Sequence, residues 1–478
     1  MKDAYKLLRV GLLGLGLKDY WAQFEGLETR LQGYLDEAGA KISGTQRILV
    51  NLGLVDSHER AIAAGHRCRQ DDIDILFIYV TTYALSSTVL PVLLRAKVPV
   101  ILLNLQPAPA IDYARFNQMD SRIAMTGEWL AHCGSCPVPE IVNVMQRLDM
   151  PVFQVTGMLH DDPVCWTEID EWLQAAATAK ALSHSRLGLL GHYYSGMLDI
   201  ATDLVQVSGR FGIHVEQLEV DELSHLYREV DEAAKRDKLT QFREFFDIES
   251  GCDPRELERA ATTAIALDRL VKRHDLDMIA YYYKGTGVAE NENVMSSIIP
   301  GASMLTGNGV PVAGEYEVKN VIAMKILDLL GVGGSFTEYY AMDFDADVVL
   351  MGHDGPGHVG IAQDRIKLRP LQVYHGKVGR GLSVEMSVKH GVVTLLSIVE
   401  DRERGFSLLA APAESVPGDV LEIGNTNSRY RFRLGAREFV ERWNAHGPAH
   451  HCAIGVGNVT SRLLKLARIL NLSLRLVI

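Results

Sequence analysis

Dense basic runs are missing from this chain: Lys and Arg number 48 against 60 Asp and Glu in 478 residues, a formal net charge of -12. With no cationic face and no aromatics interleaved with basic residues, nothing meets a phosphate backbone, so nucleic acid is excluded as an expected partner. Long apolar runs are missing too. The N-terminal run in MKDAYKLLRVGLLGLGL is interrupted by Arg9 and lacks an A-x-A-like cleavage site, and no later stretch approaches an uninterrupted membrane span. The expectation is a soluble, cytoplasmic protein with no membrane contact. Cysteine is scarce and unevenly spaced, at 68, 133, 136, 165, 252 and 452, which excludes a disulfide framework. Cys133-Gly-Ser-Cys136 has the spacing of a redox pair or half a zinc site, but no second pair follows it, so it reads as a loop without thiol function.

What the chain does have is apolar residues, 47% of the total, enough for two or three cores. From the start, short β-branched runs alternate with amphipathic helical stretches, the pattern of a parallel sheet covered on both faces. Strands are predicted at Leu8–Leu13, Ile48–Gly53, Ile73–Val80, Val98–Leu103 and Val152–Val155, with helices over Tyr20–Ala38, His58–Arg69 and Ser86–Leu94. After a helix around Trp166–Leu182 a second βα cycle begins. It runs through Leu187–Leu190, a helix from Gly196, Ile213–Val220, Pro254–His274, Met278–Tyr283 and Val310–Ala313, into a helix from about Glu315 to Leu330. Beyond Gly331 the stretches GSFTEYYAMDFDADVVLMG, RIKLRPLQVYH, GLSVEMSVKHGVVTLLSIV and SRYRFRL alternate like antiparallel strands, closing with one helix at Ser461–Leu470 and a last strand. The predicted class is α/β: two doubly wound domains, 1–184 and 185–330, followed by a β-rich domain, 331–478.

Glycine-rich stretches raise the question of a nucleotide. GLLGLGL, Gly11 to Leu17, is spaced G-x-x-G-x-G, the wrong order for a dinucleotide turn, and no acidic residue ends the next strand where a ribose partner belongs. GNGVPVAG, Gly307 to Gly314, is not a phosphate loop, because no Gly-Lys-Ser/Thr follows.

Four residues at the ends of elements stand out instead: Glu315 after VPVAG, Glu338 in SFTEYY, His353 closing VVLMGH and His451 in GPAHHC. Strand ends in α/β domains are where side chains converge over an opening. Singly, each has an ordinary reading. Glu315 suits the first turn of a helix, where the dipole favours a carboxylate, and His353 and His451 suit structural hydrogen bonds. Glu338 is harder to dismiss, since an unpaired carboxylate in a half-buried strand costs several kcal/mol. Together, two carboxylates and two imidazoles form a mixed O/N set suited to Mn²⁺, with Co²⁺, Ni²⁺ and Zn²⁺ as competitors. His358 in HDGPGH competes with His353. In GPAHHC, neighbours on an extended segment project to opposite sides, so one imidazole suits a given site.

The stretches AGEYEVKN, GGSFTEYY, VVLMGH and GPAHHC, in that order and at these separations, resemble the metal-site motifs of L-arabinose isomerase, within the L-arabinose/L-fucose isomerase superfamily. The match is clearest over 310–353 and 447–452. The resemblance implies Mn²⁺ held by Glu315, Glu338, His353 and His451, with Glu315 and Glu338 as the catalytic pair. It implies His450, Tyr340 and, from a neighbouring chain, His132 at the sugar. It also implies two Rossmann-like domains before the β-rich one, in a homo-oligomer, a trimer or hexamer. Sugar-handling residues are not legible where the family would place them, at LGLKDYW and YYYKGTGVAENENV.

The function expected is metal-dependent aldose–ketose isomerisation of a pentose or hexose. A divalent ion chelating O1 and O2 stabilises the charge that develops on them, and two carboxylates divide the proton transfers between the carbons and between the oxygens. A metal-dependent hydrolase or aldolase would want a dedicated base or a Lys nucleophile, which the sequence does not display. A non-catalytic sugar-binding protein accounts for the two α/β domains and leaves the third domain's Glu and His unexplained.

Overall fold

The computed structural model describes residues 7–285, 287–374, 377–378, 380–403 and 405–478. Thr286 in YYYKGTGVAENENV and His375 at the end of RIKLRPLQVYH therefore lie outside the described residues. The chain divides into two compact units, one ending at Lys180 and the other beginning at Ala181. Among the described residues, no helix is long and apolar enough to cross a membrane.

The first unit is built on a five-stranded parallel sheet. Its order across the sheet is Arg47–Val55, Leu8–Leu15, Ile75–Tyr79, Val100–Gln106, Phe153–Met158. Ile75–Tyr79 is buried along its whole length, as a strand covered on both faces must be. GLLGLGL proves to be strand rather than turn: Gly11 and Gly14 lie inside Leu8–Leu15. A Cβ on Gly14 would come 2.7 Å from Leu54 Cδ2, so this glycine serves close strand packing. The predicted helix at Tyr20–Ala38 is shorter and later, Leu27–Ile42, because Gly26 takes a left-handed conformation just before it.

The second unit joins a parallel sheet to an antiparallel barrel. The parallel sheet has the order His214–Leu218, Arg186–Gly191, Met278–Tyr282, Val312–Ala313. The helix predicted from Gly196 starts at Leu204, where the Asp203 carboxylate accepts from the backbone N–H groups of Val205 and Gln206. A loop therefore runs from His192 to Asp203, beyond the carboxyl end of Arg186–Gly191.

The barrel closes through six antiparallel strands in the order Gly391–Asp401, His451–Val456, Ser335–Asp343, Val348–His353, Thr426–Arg431, Gly405–Val416, the last pairing back onto the first. Ser473–Leu476 adds to Gly405–Val416 in parallel. The helix Ala436–Asn444 was not expected; it buries Ala436, Phe439 and Trp443, with the Phe439 ring stacked on Phe432 at 3.4 Å. The helix Val318–Leu329 is buried from Val318 through Leu327, and the Asn320 amide donates to the Cys452 carbonyl at 3.3 Å. The helix thus ties the end of the parallel sheet to the barrel strand His451–Val456.

Candidate metal centre

The centre forms where the strand Val312–Ala313 of the parallel sheet ends and the barrel rim begins. After Ala313 and Gly314 the backbone enters a tight reversal in which Glu315 and Tyr316 both have positive φ, 57° and 65°. Neither is a residue that favours this region, and such strain persists only where the surroundings fix it. Tyr316 supplies that fixing: its N–H donates to the Tyr281 carbonyl (2.9 Å), its ring is buried, and its hydroxyl donates to Gln217 Oε1 (2.8 Å). Glu315 is therefore not the first-turn helix carboxylate the sequence suggested. The helix begins at Val318, and Glu315 is turned toward the barrel.

Barrel register brings up the other candidate groups. Glu338 lies directly opposite His451 across one strand pair and opposite Gly352 across the next, so the side chain of His353, one residue on, ends its strand beside them. The Nε2 atom of His451 is 3.3 Å from Glu315 Oε2 and 3.9 Å from Glu338 Oε2. His353 Nε2 is 3.8 Å from Glu315 Oε1. The Phe336 ring packs on both imidazoles, at 4.2 Å from His353 and 4.5 Å from His451.

His450 reaches the same point. Its Nε2 is 3.7 Å from Glu315 Oε2 and 4.0 Å from Glu338 Oε2, and its ring lies 3.8 Å from that of His451. The expectation that the two neighbours point apart fails for a local reason. The strand starts at His451, so His450 belongs to the preceding bend, outside the alternation of a strand. Asp199, in the loop 192–203, holds His450 by a 2.6 Å contact to Nδ1 and accepts its backbone N–H at 3.0 Å. Lys319 Nζ in turn donates to the carbonyls of Asp199 and Ala201, at 2.7 and 3.1 Å, which pins that loop.

Each titratable group responds to this crowding. Burial pushes the Glu315 carboxyl up, but the imidazoles of His353 and His450 outweigh it and hold the group well below the usual carboxylate range. Burial raises Glu338. His450 is pushed up to about 9, first by Glu315 and, against its own partial burial, by Asp199. His451 is driven the other way by burial and by the neighbouring His353, so it stays neutral. Glu317, wholly enclosed, is pushed up to about 8 by burial.

Whether such a set suits a divalent ion is tested by its unpaired atoms. Glu315 Oε2 and His451 Nε2 are both buried without a hydrogen bond. Two facing acceptor lone pairs at 3.3 Å repel unless a proton or a cation lies between them, and a mixed carboxylate–imidazole set matches Mn²⁺ and its borderline competitors. Glu315, His450 and His451 can each present a ligand atom within 4.8 Å of the others. His353 comes with a condition. The Gly355 N–H donates to its Nδ1 at 3.0 Å, in an approach that a Cβ on Gly355 would crowd to 2.9 Å. The neutral ring then carries its proton on Nε2, and ligation there requires that proton to move to Nδ1 as the Gly355 contact loosens.

The remaining predicted residues are placed as follows. Tyr340 sits at an irregularity in the strand Ser335–Asp343, its hydroxyl accepting from Asn425 Nδ2 at 3.0 Å, and its ionisation is suppressed by burial and by Asp354 and Glu338. His358 is not at this centre; it is buried against Asp328, Nε2 to Oδ1 3.7 Å. His132 belongs to the first unit, where its Nδ1 donates to the Glu128 carbonyl at 3.1 Å. Cys133 and Cys136 are free thiols in the same unit.

Sequence reasoning missed Asp199, Glu317 and an aromatic wall. Tyr194 lies against Tyr282 at 4.6 Å and Tyr193 against Tyr316 at 4.8 Å, and Tyr282 is pushed up to about 12 by burial, Tyr194 and Glu315. The signal was present: HYYSG and YYYKG each follow an apolar run, at the carboxyl ends of two adjacent parallel strands, where α/β sheets build their sites. No protein-family model and no curated protein matches this chain.

Proposed function

We propose that this protein is a divalent-metal-dependent aldose–ketose isomerase of L-arabinose isomerase type, acting on a pentose or hexose. The observation that carries the reading is the meeting of Glu315, Glu338, His353 and His451 from four separate motifs around the unpaired atoms Glu315 Oε2 and His451 Nε2. Glu315, Glu338, His353 and His451 would hold Mn²⁺, with Co²⁺ as an alternative. When bound, the ion supplies Lewis-acid stabilisation of the charge that develops on the sugar's O1 and O2.

The chain's own groups do the rest. Glu338, 25% exposed and shifted toward its protonated form by burial, is suited to carry a proton between C1 and C2. Glu315, held ionised by its imidazoles, serves the oxygens. His450 stands at the open side of the centre with Asp199 behind it, placed to hydrogen-bond sugar hydroxyls, and Tyr340 lines the same rim. The tyrosines at the carboxyl ends of the parallel strands offer apolar faces to sugar C–H groups. The same reading carries Rossmann-like kinship for both parallel-sheet regions, the division at 184 and 330, cytoplasmic residence, and a homo-oligomer, trimeric or hexameric, with His132 serving a neighbouring chain's sugar.

The test is metal-stripped protein incubated with a panel of pentoses and hexoses, with and without Mn²⁺. Ketose should form from at least one aldose, and only when metal is added. No ketose from any member of the panel overturns the reading.

A further inference from the structure

Glu317 is the most enclosed carboxyl at the centre, with no exposed surface. Because Glu315 and Tyr316 both turn through positive φ, the chain passes around the His451 ring and presents a carboxyl on each side of it. Glu315 Oε2 faces Nε2 at 3.3 Å, and Glu317 Oε2 faces Nδ1 at 3.5 Å. Glu317 also feels the Lys319 ammonium and the neighbouring Asp199 and His450 at its carboxyl. It occupies the residue before the helix Val318–Leu329 but makes no cap with its side chain, and its Oε1 has no hydrogen bond. Lys319, two residues on, spends its ammonium on the carbonyls of Asp199 and Ala201. The hydrogen bond of Glu317 to another side chain is the one to His451.

We propose that Glu317 is the positioning residue of His451: its carboxyl oxygen accepts the hydrogen bond from Nδ1–H, which fixes the ring orientation and leaves the Nε2 lone pair directed at Glu315 and Glu338. Histidines that bind metals are commonly oriented in this way by a carboxylate on the other nitrogen, and removing that partner weakens metal binding by about 10- to 100-fold. Burying a carboxyl without a full complement of hydrogen bonds is unfavourable for the fold itself. Its presence is accounted for by what it does to the imidazole.

The inference rests on the metal-binding reading, and the experiment separates the two. Mn²⁺ binding is measured by calorimetry on the parent full-length chain, on Glu317→Gln, on His451→Ala and on the double variant, alongside melting of each metal-free protein. Glu317→Gln keeps shape and replaces the carboxyl by an amide. It should weaken Mn²⁺ binding by about 10- to 100-fold while the metal-free melting temperature stays at or above the parent's, and it should add no further loss in the His451→Ala background. A parent that binds no Mn²⁺ overturns the metal-binding reading. A parent that binds, with Glu317→Gln binding equally well, overturns the role of Glu317 alone. So does a variant whose metal-free melting temperature collapses, which would make Glu317 a structural residue. A readout free of Glu317 variants is the far-downfield proton spectrum of the Zn²⁺-loaded parent. An exchange-protected imidazole N–H should appear there and vanish in His451→Ala, and its absence from the parent overturns the proposal.

Discussion

Glu315 Oε2 and His451 Nε2 face each other at 3.3 Å, both buried and neither hydrogen-bonded. A cation between them would satisfy both atoms, and a ligand that binds only the folded chain stabilises it by about 2.7 kcal/mol at a hundredfold excess over its dissociation constant. One Mn²⁺ per chain should therefore bind and raise the melting temperature by several degrees, with a chelator reversing the shift. Elemental analysis of the reconstituted, desalted protein gives the stoichiometry, and a value near zero with an unmoved melting curve removes the metal from the account.

The two adjacent histidines divide by burial. His451 has no exposed side-chain surface, whereas His450 is 36% exposed and tethered by Asp199. His451→Ala should abolish Mn²⁺ retention and turnover together. His450→Ala should retain the ion, with a raised KM if its contact to sugar is the same in the ground and transition states, or a lowered kcat if the contact tightens only in the transition state. Asp199→Asn should resemble the His450 variant more weakly. Calorimetry on the two alanine variants decides it: Mn²⁺ bound by His451→Ala and not by His450→Ala reverses the assignment.

How much of this was legible in the chain depends on how local the signal is. Buried parallel strands such as Ile75–Tyr79 read directly, since both faces are apolar. The β-rich region read as alternation, but closure did not, because the return pairing of Gly405–Val416 onto Gly391–Asp401 and the insertion of His451–Val456 between distant strands are long-range choices. The motifs around Glu315, Glu338, His353 and His451 are short and ordered, so they were visible. The left-handed pair Glu315–Tyr316 was not, since neither residue type announces positive φ. Glu317 lies within AGEYEVKN and carries no signal of its own in the sequence. It is fully buried, and its contact to His451 is with a residue 134 positions later in the chain.

Cys133 and Cys136 give a prediction in the opposite direction. Burial and the neighbouring Cys136 push the Cys133 thiol up to about 11, so it is a poor thiolate at neutral pH and lacks the activation of a redox or zinc-binding cysteine. Replacing both by Ser should leave Mn²⁺ content and turnover within twofold of the parent. The melting temperature should drop by a few degrees, because a hydroxyl replaces a buried sulfur at Cys133. Loss of bound metal in the double variant would mean that these thiols hold it.

Away from the centre, His274 should give the fold a pH dependence of defined sign. It ends the helix Pro254–His274, with Nδ1 2.7 Å from Glu216 and Nε2 2.9 Å from Glu222. Arg186 and Arg273 also reach these carboxylates, at 3.4 and 3.2 Å. Burial pulls the imidazole down, but Glu222 and Glu216 together raise it above its ordinary value, and the helix end favours its charge. The folded state therefore binds this proton more tightly than the unfolded chain. The stabilisation is complete below the unfolded value of about 6.5 and is lost as pH rises through the raised folded value. Glu216 runs the other way: its hydrogen bond with His274 lowers it, so its share is present above about 4.3 and lost as pH falls through the lowered value. Between those two limits the cluster contributes most. Melting of the metal-free protein from pH 5.5 to 9, compared with His274→Gln, should show a difference that is largest at the acid end and shrinks steadily toward pH 9. Curves that stay parallel across the range would show that His274 is not charged in the fold, and that Glu216 and Glu222 hold a neutral ring.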